Sequence, residues 1–204
     1  MVPIGKYVLA HACRSAAAWQ QNFGGHEQLT VNVNLSPAEL LRPELAEDVS
    51  TALTSSGLSP ASLVLEITET GAMADATAAL AAMHELGRLG VRLALDDFGT
   101  GHSSLSHLRD FPIDVLKIAK PFIDRLDHGP GDTTFTDAIL RLASALELDV
   151  VAEGIERAEQ AALLRRLECG LGQGFHFSRP LDRDDADAYL VRTASSWPRM
   201  RAVS

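Results

Sequence analysis

Two adjacent carboxylates, Asp96 and Asp97, directly follow the apolar run Leu93-Ala94-Leu95 and precede Phe98-Gly99-Thr100-Gly101. The apolar run reads as a buried strand, so the acids sit where that strand ends. Two anionic side chains side by side repel, and burying them is costly unless a cation compensates. The pair therefore predicts a metal position at a strand mouth. Neighbouring strand residues point to opposite faces. Both acids reach one site only if the chain turns sharply at Asp97, which the Phe98-Gly99 step allows. The bland alternative is a solvated pair capping a helix that starts near Ser103.

Other polar residues recur at the same level of successive apolar segments. Asn34 ends the first strand, Glu66 falls near the end of the second, and Lys117 lies near the end of the fourth. Glu153 follows the fifth strand and Gln173 opens the sixth. Taken singly, each has an ordinary reading. Asn34 could cap the turn before Ser36, Glu66 and Glu69 could be surface charges, and Lys117 could be a structural ion-pair partner. Their common level gives them one address.

The elements that must position these residues alternate between strand and helix. The pattern predicts a helix over 3–19, a strand over 28–35, and a helix from Ser36 to about Ser56. Ser36, Pro37 and Glu39 supply its cap, first-turn proline and capping-box acid, and Gly57 stops it. Strands follow over 63–67, 91–95, 114–118, 149–152 and 173–177. Helices are expected over 74–89, 103–109, 133–146, 157–167 and 183–192. Alternation with short connections means an α/β fold with a parallel sheet. In a (β/α) barrel the strand ends converge over one mouth. In an open doubly wound sheet they would spread along a line. The expectation is thus a TIM-type barrel with about six of its eight strands, incomplete at the N-terminus. The barrel is expected over 1–192, with a disordered tail over 193–204.

Composition narrows the function classes. The chain has 204 residues, of which 46% are hydrophobic and 22% charged, as in ordinary globular domains. Its net charge of −9 argues against DNA, RNA polymers or anionic membranes as partners. It leaves room for a small anion held through metals. Cys13 and Cys169 lack metal-ligand spacing and read as reduced thiols. No segment has the length of a membrane span and the N-terminus lacks a signal-peptide pattern. A cytoplasmic location is expected.

Six motifs in fixed order carry a more specific resemblance. They are V-N-L-S (33–36), E-I-T-E (66–69), D-D-F-G-T-G-H-S-S-L (96–105), F-P-I-D-V-L-K-I (111–118), V-A-E-G-I-E (151–156) and Q-G-F-H-F-S-R-P-L (173–181). Together they resemble the EAL-domain family of bacterial cyclic di-GMP phosphodiesterases, whose fold is a modified TIM barrel. The resemblance implies metal-dependent hydrolysis of cyclic di-GMP to linear pGpG with two Mg²⁺ or Mn²⁺ ions. Asn34, Glu66 and Asp96 would ligate one ion, and Asp96, Asp97 and Glu153 the other. Lys117 would orient the attacking water. Glu69 would anchor the loop 98–104, where the family makes dimer contacts. Gln173 and Glu156 would serve the water network or the substrate. An upstream sensor or cyclase domain and a homodimer are further implied partners.

The chain also departs from the family pattern. No Glu-Ala-Leu tripeptide is present, nor the family's early substrate arginine; both would precede Val2. Ala119 replaces the aspartate that usually follows Lys-Ile, and His102 replaces a tyrosine. Losing a ligand, a substrate arginine and a neighbouring acid predicts that this chain alone has little or no turnover. The alternatives are a degenerate domain that binds the nucleotide or a protein partner without hydrolysis, and a fragment without independent function.

Overall fold

Period-two alternation builds the sheet that carries the site. Six strands lie side by side: β1 (Val31–Leu35), β2 (Leu63–Thr68), β3 (Arg92–Phe98), β4 (Val115–Ile118), β5 (Asp149–Ala152) and β6 (Leu171–Gly172). The computed structural model describes residues 2–22, 29–100, 105–126 and 130–193. Every pairing is parallel, and the spatial order follows the chain from β1 to β6 without reversal. A doubly wound sheet reverses its order at a switch point. An unreversed parallel series with helical crossovers is the wall of a (β/α) barrel. The six strands and the barrel-type topology agree with the sequence expectation.

Among the described residues, ten helices cover or flank this wall: α1 (Val2–Asn22), α2 (Pro37–Leu40), α3 (Leu45–Ser56), α4 (Glu69–Ala74), α5 (Ala76–Arg88), α6 (Leu105–Asp110), α7 (Lys120–Asp124), α8 (Pro130–Ala145), α9 (Ala158–Arg166) and α10 (Arg183–Thr193). While α10 lies against α1, where Trp19 Nε1–H donates to Asp187 and Arg183 to Ser15 Oγ, all the others contribute to a core on one face of the sheet. Leu63, Leu65 and Ile67 of β2, Leu93 and Leu95 of β3, and Leu116 and Ile118 of β4 point that way and are fully buried. They join Val49, Met83, Leu86 and Ile123 from the helices in one core. Each such aliphatic side chain contributes about 1.5–3 kcal/mol on burial. The alternate strand residues face the barrel interior. There Val64, Ala94 and Val115 form a small second cluster, with Val151 packed against it. Below this apolar layer, Arg92 pairs with Asp149 at 2.5 Å. Above it stand the polar residues of the strand ends.

Local chemistry explains where the elements differ from the expected ones. The helix expected over 36–56 is two helices. Ser36 caps α2 in a full capping box with Glu39, but Pro43 lacks an N–H and disfavours a helical conformation at Arg42. The chain restarts at Leu45. The strand expected over 173–177 is instead a turn, in which His176 N–H donates to Ile155 C=O and Phe177 N–H to Gly174 C=O. Gly174 lies so close to the Ile155 backbone that a Cβ would overlap it, so side-chain-bearing strand geometry cannot form there. Helices α4 and α7 were not expected, because each is short and begins as its strand ends. Thr68 caps α4 by accepting from Gly71 N–H at 3.2 Å, and Pro121 sits in the first turn of α7. Residues 1, 23–28, 101–104, 127–129 and 194–204 lie outside the described set, including Gln28, His102, Ser103 and all of the expected tail but Thr193, which ends α10. No helix among the described residues is long and apolar enough to cross a membrane.

One ion-pair cluster fixes α1 to the α2–α3 connection. Lys6 and Arg42 reach Asp48 at 2.7 and 2.8 Å. Burial raises the Asp48 pKa, but the hydrogen bonds and charges of Lys6 and Arg42 outweigh it and leave the carboxyl below its ordinary range. A carboxylate with a depressed folded pKa stabilises above its unfolded value, near pH 4, and loses that contribution as pH falls further. Asp48→Ala is therefore expected to destabilise the chain by about 1–2 kcal/mol at neutral pH. The loss should shrink below about pH 4, as checked by urea denaturation at pH 7 and pH 3.5.

Candidate metal centre at the carboxyl ends of the strands

The site is assembled by register. Asn34 of β1 stands opposite Glu66 of β2, and Thr68 of β2 opposite Asp96 of β3. Glu66, Asp96 and Lys117 share the inward-facing parity of Val64, Ala94 and Val115. Glu153 follows β5, its N–H donating to Ile118 C=O at 3.1 Å, so the ladder continues one residue beyond the strand. These positions place four side chains over the apolar interior layer.

A buried lysine organises them. The Lys117 ammonium lies 2.6 Å from Glu66 Oε1, 2.6 Å from Glu153 Oε1 and 3.3 Å from Asp96 Oδ1, with only 2% of the side chain exposed. Glu66 also accepts from Asn32 Nδ2 at 2.7 Å. Burial disfavours the ammonium, yet hydrogen bonds and charges from Glu153 and Glu66 prevail and raise the Lys117 pKa. Burial raises the Glu153 pKa. Lys117 opposes this, while the charges of Asp96 and Glu66 add to it, and the net shift is upward.

The Asp96-Asp97 pair obtains its geometry from a bulge. Leu95 pairs with Leu116 and Phe98 with Ile118, so β3 carries one more residue than β4 across this interval. Asp97 takes up the extra residue with φ of 55°, in the left-handed region that side-chain-bearing residues rarely adopt. The expected turn is thus at Asp97 itself, and the strand continues through Phe98 instead of stopping at Leu95. Without the bulge, Asp97 would point into the helix-covered core and Phe98 into the mouth. With it, Phe98 joins the core and both acids stay at the strand end. Asp97 N–H donates to Asp96 Oδ1 at 2.9 Å. One carboxylate oxygen from each of Asp96, Asp97 and Glu153 lies within 4.8 Å of the other two. Three such oxygens around one point, with Asp97 exposed, suit a hard divalent cation.

The remaining sequence-predicted residues fall in different places. Glu69, fully buried at the start of α4, accepts from Gly99 N–H at 2.8 Å and so holds the segment after the bulge. Asn34 is exposed on the inward face, level with Glu66. The hydrogen bond to Glu66 comes from Asn32, two residues earlier, which the sequence reading did not single out. The V-N-V-N alternation was the signal, since both asparagines share one face. Gln173 is exposed at the end of β6, its N–H donating to Ala152 C=O and its C=O accepting from Ile155 N–H. Glu156 pairs with Lys120 at 2.9 Å rather than with the Lys117 cluster. Ala119 is fully buried at the N-cap of α7 and offers no side-chain cap.

Comparison with known proteins agrees with this fold. MucR of Pseudomonas aeruginosa, a bifunctional diguanylate cyclase and cyclic di-GMP phosphodiesterase, is 41% identical over 89% of this chain and 26% of its own length. The chain thus spans about a quarter of the length of the curated relatives it matches. The solved PaMucR phosphodiesterase in complex with cyclic di-GMP superposes with a TM-score of 0.85 at 40% identity, covering 91% of this chain and 74% of that one. The Klebsiella pneumoniae BlrP1 complex with manganese and cyclic di-GMP has a TM-score of 0.78 at 28% identity, covering 87% and 44%. The model of the EAL domain matches residues 1–180, and the chain belongs to the EAL-domain family.

Proposed function

We propose that this chain is a cyclic di-GMP phosphodiesterase-type module whose strand-end acids hold divalent cations and whose Lys117 orients a water against the phosphodiester. The observation that carries this reading is the buried Lys117 ammonium in contact with Glu66, Asp96 and Glu153, beside the exposed Asp97. One ammonium cannot neutralise four carboxylates, and the surplus charge favours a cation. Asn34, Glu66 and Asp96 would hold one Mg²⁺ or Mn²⁺, and Asp96, Asp97 and Glu153 a second. When bound, such a pair lowers the pKa of a water and stabilises charge on the attacking and leaving oxygens. Lys117 Nζ, fixed by two glutamates, donates only hydrogen bonds and so orients an oxygen lone pair without competing for the proton. Glu69 keeps the Asp97–Gly99 segment in place, and Gln173 flanks the mouth near Glu153. The product would be linear pGpG.

Binding of cyclic di-GMP and of manganese by solved relatives supports the ligand assignment. The presence of cyclase and phosphodiesterase activities in MucR supports partnership with a sensor or cyclase domain in a cytoplasmic signalling protein. Homodimerisation through the segment after Asp97 belongs to the same reading. Ala119 favours a second one. With no carboxylate at that position, the chain would act as a nucleotide receptor with little or no hydrolysis.

Three outcomes are expected. Asp97→Asn should weaken Mn²⁺ binding at least about tenfold by isothermal titration; an unchanged affinity would remove Asp97 from the ligand set. Lys117→Met should remove the Mn²⁺-dependent conversion of cyclic di-GMP that the wild-type chain shows, followed by chromatography with protein in excess over nucleotide so that slow turnover is still read. Ala119→Asp should raise turnover above that of the wild-type chain. Wild-type chain that neither binds cyclic di-GMP nor converts it with Mn²⁺ would overturn both readings.

A further inference from the structure

Lys120 lies one residue past Ala119, outside every motif that the function uses. Its ammonium bridges Asp124 at 2.8 Å and Glu156 at 2.9 Å. Asp124 is four residues along α7 and shares its face, so it holds Lys120 in place from within one short helix. Glu156 belongs to the opposite element, the loop that leaves β5. The Lys120 stem also crosses Gly154 closely. A Cβ on Gly154 would come within 2.4 Å of Lys120 Cγ and 2.7 Å of its Cβ. Gly154 has φ of 70°, the left-handed conformation that glycine adopts without strain.

The loop in question is the one that aims Glu153. On one side, Glu153 N–H is held by Ile118 C=O. Beyond it, Ile155 is tied by its N–H to Gln173 C=O, and Glu156 N–H donates to Gln160 Oε1. Those bonds fix the main chain at 153, 155 and 156. The reversal at Gly154 lies between them, and there Lys120 provides the covering contact. The stem lies over the glycine and the ammonium holds Glu156 on the far side.

We propose that Lys120 is a positioning residue. It clamps the 153–156 loop against α7, and through that clamp sets the Glu153 carboxylate towards Lys117 and Asp96. Glu156 then acts as the far anchor of the clamp. This rests on the reading of Glu153 as a metal ligand.

Electrostatics makes the proposal separable from a general charge effect. Removing a cation near a cation site should by Coulomb's law alone tighten metal binding. Loss of a clamp should loosen it, by less than loss of a partner bonded to the ligand itself, because Lys120 acts through the loop and its pair with Glu156 is half exposed. The two effects have opposite sign.

The test is Mn²⁺ affinity of the full chain, measured by electron paramagnetic resonance of free Mn²⁺, for wild type, Lys120→Met, Lys120→Ala and Lys120→Arg. Lys120→Met keeps most of the stem and removes the charge. Expected are about a fivefold loss for Lys120→Ala, about a threefold loss for Lys120→Met, and recovery to within about twofold for Lys120→Arg. Glu156→Gln should match Lys120→Met. Thermal unfolding of each variant shows whether it remains folded at the titration temperature. Unchanged or tighter Mn²⁺ binding in folded Lys120→Met and Lys120→Ala overturns the clamp while leaving the metal centre standing. Wild type that binds no Mn²⁺ overturns the metal centre, and the clamp with it.

Discussion

The buried ammonium of Lys117 is the contact on which the strand mouth depends. Glu66, Asp96 and Glu153 come from three different strand ends, and each points at the same nitrogen or its immediate surroundings. Withdrawn from water without that charge, the acids would repel one another and take up protons. With it, they remain close, and the remaining negative charge is concentrated on the open side, where Asp97 lies. The lysine thus has a structural role and a chemical one. It makes a cluster of acids tolerable at the top of an apolar interior, and it leaves them unsatisfied enough to take a further cation.

Backbone geometry adds the second constraint. Parallel register puts Glu66, Asp96 and Lys117 on the inward face without special devices, because alternation along each strand does so automatically. Asp97 is different. It belongs to the outward parity, and only the extra residue in β3 keeps it at the mouth while returning Phe98 to the core. The same bulge leads into Gly99, whose N–H is held by the buried Glu69. A carboxylate at the start of α4 therefore stabilises the path of a neighbouring strand's exit.

The fold was legible in the sequence where periodicity is strong. The strands at 63–67 and 149–152, the helix stop at Gly57 and the barrel topology follow from apolar alternation, glycine and repeated strand-end polarity. The two short helices after β2 and β4 were not legible, because five or six residues carry too little periodicity to register. Pro43 was the visible sign that the 36–56 helix would divide. The turn at 173–177 was hidden, because its cause is the approach of Gly174 to Ile155, a contact between distant segments. In the site, Glu66, Asp96, Asp97, Lys117 and Glu153 were recognisable as types at one level. That Asn32 rather than Asn34 donates to Glu66, and that Glu156 turns to Lys120, depends on side-chain reach, which spacing does not encode.

The left-handed backbone at Asp97 has a consequence for how this position can drift. Aspartate there carries a conformational penalty of about 1 kcal/mol relative to glycine. Thermodynamic pressure on the fold alone therefore favours losing the side chain. Only use of its charge opposes that pressure. In descendants of this chain whose mouth has fallen idle, position 97 is where relaxation towards glycine or asparagine would surface early, well before the strand residues that hold the core.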